Sequence, residues 1–185
     1  KPSIFGKPNE AYIDAELDWY ESQSTNVNDI NYGSDVPAAW KATADKYGNI
    51  NSNYGKLIYS TEFHNQYQNV FNELSANPDS RRATMVYTRP SIWNEYNTNG
   101  KSDFICTNAV GYLIRNDILH VTVQMRSNDI VFGYKNDYAW QAHVAERLQV
   151  ELSVPIDGIK IHWQVQSLHM YQRHFDLLGL HEVQT

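Results

Sequence analysis

Apolar residues recur at helical spacing in the segment "PNEAYIDAELDWYESQ". Ile13, Leu17 and Tyr20 form one stripe after a Pro-Asn start, which predicts an amphipathic helix. Glu16 lies beside that stripe, a position that allows its carboxylate to face inward, although most charges on such a helix are solvated. The pattern therefore makes Glu16 a candidate functional carboxylate that faces inward, with a solvated surface charge as the alternative.

Two further segments predict helices. One spans about Thr61 to Ala76, where five apolar residues follow the helical period: Phe63, Tyr67, Val70, Phe71 and Leu74. The other, "DYAWQAHVAERLQVEL", has an apolar residue at every fourth position: Trp140, Val144, Leu148 and Leu152. From Asp29 to Gly55 the chain is rich in Asn, Gly and Ser and is predicted to be mostly loop, with one short helix in "PAAWKATADKYG".

Alternating stretches predict strands. "ATMVYT" follows the turn "NPDSRR", while "DFICTNAVGYLIR" and "ILHVTVQMR" meet tightly at Asn116-Asp117, which predicts an antiparallel hairpin. "IKIHWQVQSLHMY" predicts the last strand. Strands of this kind with a few long helices predict one α+β domain over residues 1–185, with the helices packed on a sheet.

Composition narrows the class of protein. Hydrophobic residues at 42% and charged residues at 19% are typical of a globular chain, which we expect to be soluble and cytoplasmic. The net charge of -6 argues against direct nucleic-acid binding, and no apolar run approaches the roughly 20 residues that span a bilayer. A single cysteine excludes an internal disulfide framework and a zinc site with several cysteines.

That cysteine, Cys106, lies inside a predicted strand between apolar neighbours. It is either a small buried core residue or a nucleophile, and a nucleophile needs nearby positive charge to favour the thiolate. The hairpin brings Arg126 back alongside Cys106, so Arg126 is a candidate source of that charge.

Polar residues at the predicted strand ends have the chemical groups needed to bind a phosphate and a sugar. Arg81, Arg82, Arg126 and Ser127 offer three guanidinium groups and a hydroxyl, unless the first pair is a solvated loop end. His169 and Tyr171 alternate on one face of the last strand, where they either face solvent or bind a hydroxyl.

Two Asn-Asp pairs lie in "MRSNDIVFGYKNDYAW". Asp129 is explained by turn formation, and Asp137 by capping of the helix that it is predicted to open. Turn formation and helix capping explain these two residues without a further function.

The blocks together resemble the thymidylate synthase superfamily, and within it the phage-type deoxycytidylate 5-hydroxymethyltransferase branch. They occur in family order: "AELDWY", "INSNYG", "NPDSRRATMVYTRPS", "DFICTN", "MRSNDIVFG", "NDYAWQ" and "SLHMYQRHF". The resemblance implies a mixed, mainly antiparallel sheet with packed helices and a homodimer through the sheet face. Ile105, Thr107 and Met125 depart from the synthase pattern and agree with the hydroxymethylase branch.

Catalytic roles follow from the resemblance. Cys106 matches the nucleophile that adds to C6 of the pyrimidine. Glu16 matches the glutamate that organises proton transfers, and Tyr54 matches a tyrosine of the same network. The resemblance implies 5,10-methylenetetrahydrofolate as co-substrate and no metal.

Binding roles follow as well. Arg126 and Ser127 match the phosphate ligands of the family, and Arg81 and Arg82 match the pair that reaches the partner subunit's site. The remaining matches are a sugar pair and two folate contacts: His169, Tyr171, Asp129 and Trp40.

Asp137 is the discriminating position, at which the synthases carry Asn. An amide complements the O4 acceptor and N3–H donor of uracil, whereas a carboxyl accepts from the N4 amino group of cytosine. The expected activity is therefore hydroxymethylation of deoxycytidylate (dCMP). The alternatives are a cytidylate (CMP) hydroxymethylase, a dCMP methyltransferase, a synthase that uses deoxyuridylate (dUMP), and a nucleotide-binding relative with weak catalysis.

Overall fold

A computed structural model describes residues 6–33 and 35–179. The six α-helices of these ranges are α1 Glu10–Ser22, α2 Ala38–Thr43, α3 Tyr54–Tyr59, α4 Gln66–Ala76, α5 Ile92–Glu95 and α6 Gly133–Glu151. The strands are β1 Thr84–Val86, β2 Thr107–Arg115, β3 Ile118–Asp129 and β4 Gly158–His169. The predicted domain also includes residues 1–5, 34 and 180–185, which lie outside the described ranges.

The four strands form one sheet in the order β1-β2-β3-β4. The predicted hairpin of β2 and β3 is confirmed, with Asn116 and Asp117 both at positive φ, as a type I′ turn requires. β1 and β2 are also antiparallel, but β4 runs parallel to β3, which α6 makes possible as the crossover. The α+β prediction and the mixed, mainly antiparallel sheet are confirmed.

Among residues 6–33 and 35–179, the helices pack against one face of the sheet, and the side chains of β3 that alternate toward the other face are partly exposed. Four side chains of β3 are fully buried under the helices: Leu119, Val121, Val123 and Met125. The predicted stripe of α6 is buried with them, including Trp140, Val144 and Leu148. Because β3 and β4 are parallel, their last residues lie side by side at one edge of this core.

The predicted helix over Thr61–Ala76 is wrong in its first turns. His64 and Asn65 have φ of 66° and 42°, so a short 3₁₀ turn, Thr61–Phe63, precedes α4. The side chain of Asn65 accepts from the backbone N–H of Gln68 and caps α4. Asn side chains bond to nearby backbone groups in this way, so Asn is favoured at a helix cap over a helix interior. The short helices α3 and α5 were not predicted. Within the described ranges, no helix has both the length and the apolar composition to cross a membrane.

Candidate active site

Glu16 faces inward from α1 and is only 4% exposed. The hydroxyl of Tyr12, one helical turn earlier, donates to Glu16 Oε1 at 2.5 Å, and Trp40 Nε1 donates to the same oxygen at 2.8 Å. Burial raises the pKa of Glu16 above its ordinary value, while these two hydrogen bonds lower it. The structure confirms the inward orientation and places Trp40 on this carboxyl.

Asp137 does not open its helix, so the prediction that it caps α6 is wrong. α6 begins at Gly133, four residues earlier, and the carboxylate of Asp129 accepts from the backbone N–H of Val131, Phe132 and Gly133 at 3.2–3.5 Å. Asp129 therefore accepts from the amides of the turn that leads into α6, which is the turn-forming role predicted for it. Asp137 is left one full turn inside α6.

The carboxyl of Asp137 is enclosed by polar side chains. Its Oδ2 accepts from Asn128 Nδ2 at 2.6 Å, and it also has a hydrogen bond with Tyr54. Burial, followed by the charge on Glu16, raises the pKa of Asp137 to about 8, although both hydrogen bonds lower it. A substantial fraction of Asp137 is therefore the neutral acid at neutral pH.

Tyr54 links this carboxyl to the strand that follows Cys106. Its hydroxyl accepts from Thr107 Oγ1 at 3.0 Å, and its ring stacks on Tyr20 with 5.3 Å between the centroids. The loop before Tyr54 is fixed by Asp103, whose Oδ2 accepts from the backbone N–H of Asn51 at 2.6 Å. These contacts hold the phenol in one position.

Cys106 is partly buried and directly precedes β2, so its predicted place inside a strand is wrong. The pairing of β2 with β3 has a register irregularity between Thr107 and Ala109, directly after the cysteine. The predicted proximity of Arg126 is confirmed, with Nη2 3.6 Å from Cys106 Sγ. Burial and the charge of Asp137 raise the pKa of the thiol to about 11, and Arg126 lowers it.

The guanidinium of Arg126 also holds the residues before the cysteine. Nε donates to Ile105 O at 3.0 Å, Nη2 donates to Phe104 O, and the group lies 4.8 Å from the Phe104 ring centroid. Nη1 has no hydrogen bond to another described residue. Arg126 therefore positions the nucleophile and retains donors for an anion.

The ends of β3 and β4 bring the other predicted ligands together. Ser127 pairs with Ser167, and Asp129 pairs with His169, across the parallel strands. The ring of Tyr171 lies edge-on to His169 with 5.0 Å between the centroids. Ser127, Asp129, His169 and Tyr171 thus lie near one another where β3 and β4 end.

Arg81 and Arg82 lie elsewhere, in the turn between α4 and β1. Arg82 pairs with Glu73 at 3.0 Å, and Arg81 is exposed. Within the described ranges neither arginine contacts Cys106 or Arg126.

Three residues of this site were missed in the sequence: Tyr12, Thr107 and Asn128. Tyr12 lies four residues before Glu16, so helical spacing pointed to it. Asn128 lies two residues beyond the predicted strand "ILHVTVQMR", and the structure extends this strand to Asp129, so strand periodicity did not point to Asn128. Thr107 had no comparable signal, because its partner Tyr54 is 53 residues away.

Comparison with known proteins agrees with this geometry. The family model described as "Thymidylate synthase" matches residues 9–183. The deoxycytidylate 5-hydroxymethyltransferases of Enterobacteria phages T6 and T4 are 49% and 48% identical over 183 residues, which cover 96% of this chain and 74% of each relative. A thymidylate synthase of Fusobacterium nucleatum is 31% identical, over 92% of this chain and 60% of that protein.

The fold has a solved counterpart. The thermostable thymidylate synthase A from Bacillus subtilis superposes with a TM-score of 0.68 at 22% identity, over 94% of this chain and 62% of that one. This chain belongs to the thymidylate synthase family.

Proposed function

We propose that this chain transfers a one-carbon unit from methylenetetrahydrofolate to C5 of dCMP and adds water to give 5-hydroxymethyl-dCMP. The carboxyl of Asp137, with a pKa of about 8, carries the proposal. As a neutral acid it donates its O–H to N3 of cytosine and accepts from the N4 amino group. The similarity to phage deoxycytidylate 5-hydroxymethyltransferases supports the same substrate.

The proposed chemistry starts at Cys106. Its thiolate forms a bond to C6, and the electron pair of the C5–C6 double bond makes C5 a nucleophile. C5 then bonds to the methylene carbon of the folate as that carbon leaves one of its two folate nitrogens, which takes up a proton. C5 loses its proton, and the remaining carbon–nitrogen bond breaks to release tetrahydrofolate. Hydroxide from water adds to the exocyclic methylene, and the Cys106–C6 bond breaks as the ring double bond returns.

Glu16 is suited to the proton transfers of these steps. Its pKa is raised by burial, and Tyr12 and Trp40 hold one carboxyl oxygen, which leaves the other for water or substrate. Tyr54, between Thr107 and Asp137, completes the proposed network.

The remaining ligands are assigned by position at the strand ends. Arg126 and Ser127 bind the phosphate, and His169 and Tyr171 bind the 3′-hydroxyl of the sugar. Asp129 and Trp40 contact the folate, a role that Trp40 combines with its hydrogen bond to Glu16.

The proposed partner is a second copy of the chain, bound through the sheet face opposite these helices. Arg81 and Arg82 then reach the partner's phosphate, in agreement with their distance from their own Cys106. An equal mixture of Cys106→Ser chains and Arg81→Ala/Arg82→Ala chains tests this arrangement. Mixed dimers regain one complete site, or roughly a quarter of wild-type activity, whereas arginines acting within their own chain give no recovery.

Incubation with dCMP and radiolabelled methylenetetrahydrofolate tests the reaction, with the product identified by mass. We expect 5-hydroxymethyl-dCMP. A methyl product, a preference for CMP, or tritium release from C5 of dUMP instead of dCMP would each replace the proposal by the corresponding alternative. Binding of dCMP without any exchange of C5 tritium would indicate a nucleotide-binding protein.

A further inference from the structure

Asn128 is a buried amide, 3% exposed, at the end of β3. Its Nδ2 donates to Asp137 Oδ2 at 2.6 Å, and its Oδ1 accepts from the indole Nε1 of Trp163 at 3.3 Å. An indole N–H only donates, so the amide oxygen must face Trp163 and the amide nitrogen must face Asp137. Trp163 therefore fixes the orientation of the amide.

We propose that Asn128 is a positioning residue that sets base selectivity by fixing which oxygen of the Asp137 carboxyl accepts and which carries the proton. The inference rests on the proposed function, because it takes Asp137 as the group that contacts the base. Oδ2 accepts from the amide of Asn128, so the proton of the neutral acid lies on Oδ1.

This constraint is needed because a neutral carboxyl is not selective by itself. With its O–H toward N3 and its carbonyl toward position 4, it pairs with cytosine. With the two oxygens exchanged, it donates to O4 and accepts from N3–H, and so pairs with uracil. A donor locked onto Oδ2 permits only one of these arrangements, and it is the cytosine arrangement when Oδ1 faces N3 of the bound base, as the proposal requires.

Trp163 is held in turn by aromatic rings on α6. Its ring lies edge-on to Tyr134 at 5.4 Å and near Tyr138 at 5.9 Å between centroids. Replacement by Phe keeps a ring in this position but removes the N–H, so it frees the amide to rotate.

Equilibrium binding of dCMP and of dUMP, measured by calorimetry at pH 7 without folate, tests the inference. Asn128→Ala is expected to lower the dCMP/dUMP affinity ratio about 10-fold, the range of one hydrogen bond to a charged or acidic group. Part of this change is a gain in dUMP affinity, which a merely structural loss does not produce. Because Asn128 also lowers the pKa of Asp137, the pH above which dCMP affinity falls is expected to move upward.

Two variants and one control complete the test. Trp163→Phe is expected to change the ratio in the same direction by a smaller factor, and it decides the question if Asn128→Ala does not fold. In an Asp137→Ala background, which has no carboxyl or amide to orient, Asn128→Ala is expected to leave the ratio unchanged. Asn69→Ala is the control, because the Asn69 amide donates to His64 O far from Asp137.

An unchanged ratio in folded Asn128→Ala or Trp163→Phe would overturn the inference, as would an equal effect in the Asp137→Ala background. Failure of the proposed function gives a different result. A wild type that prefers dCMP but yields no hydroxymethyl product contradicts only the proposed function. A wild type that binds neither nucleotide, or both equally, contradicts both.

Discussion

The carboxyl region around Asp137 and the thiol region around Cys106 differ in how ready each is for reaction. Asp137 has a pKa of about 8 and fixed donors in Asn128 and Tyr54, so its neutral form is populated before substrate arrives. Cys106 has a pKa of about 11, so even with Arg126 beside it the thiol is protonated at neutral pH. The carboxyl is thus ready to bind the base before the thiol is ready to attack C6 of that base.

The two regions are coupled through charge. The ionised form of Asp137 is among the causes that raise the pKa of Cys106. Above the Asp137 pKa of about 8, cytosine that holds Asp137 in its neutral form removes that charge and thereby favours the thiolate. Binding of the correct base and activation of the nucleophile then reinforce each other, since such coupling is reciprocal.

The largest effect is expected from Cys106→Ser, which removes the nucleophile and leaves the carboxyl region intact. Exchange of C5 tritium should fall by more than about 10⁴-fold. Affinity for dCMP, measured by calorimetry, should change only severalfold. Loss of binding together with turnover would show that the two regions are not separable in this way.

Asp137→Asn changes the carboxyl region and leaves the nucleophile in place. Combined with Asn128→Ala, which frees the new amide to turn, it lets that amide donate to O4 and accept from N3–H of uracil, so the dCMP/dUMP preference should shift toward dUMP by about 10- to 100-fold. The ratio of tritium release from the two nucleotides measures this shift. An unchanged ratio would remove Asp137 from base recognition.

The sequence predicted those parts of the site that depend on local spacing. The inward carboxylate of Glu16, the hairpin, and the approach of Arg126 to Cys106 all follow from helical and strand periodicity. The position and hydrogen-bond partner of Asp137 could not be predicted in this way, because its helix starts at Gly133 and its partner Asn128 lies on β3. Whether an Asp caps a helix or lies inside it depends on which neighbour takes the free amides, and here Asp129 does.

The pH dependence of dCMP binding tests the state of the carboxyl region directly. If the neutral acid binds cytosine, affinity stays constant below the Asp137 pKa of about 8 and falls above it, by about tenfold per pH unit. Calorimetry between pH 6 and 10 measures this profile, and Asp137→Asn should abolish the fall. Affinity that rises through this range would mean that the ionised carboxylate is the binding form.

The thiol region can be followed without substrate, because Cys106 is the only cysteine in the chain. The rate of alkylation by iodoacetamide rises with pH as the thiolate forms. Asp137→Asn should move this rise to lower pH, since it removes a charge that raises the pKa of the thiol, and Arg126→Gln should move it higher. Identical profiles in both variants and in wild type would disprove the electrostatic coupling.

The smallest effect is expected from Asp129→Ala, which alters the aspartate that lies close to both regions but belongs to neither. Loss of its hydrogen bonds to the backbone N–H of Val131 and Phe132, in the turn before α6, should lower the free energy of unfolding by about 1 kcal/mol. Urea denaturation measures the loss. The dCMP/dUMP affinity ratio without folate should stay constant, because Asn128 and Asp137 keep their hydrogen bond. A ratio that falls with Asp129→Ala would mean that the start of α6, and not Asn128 alone, fixes the carboxyl.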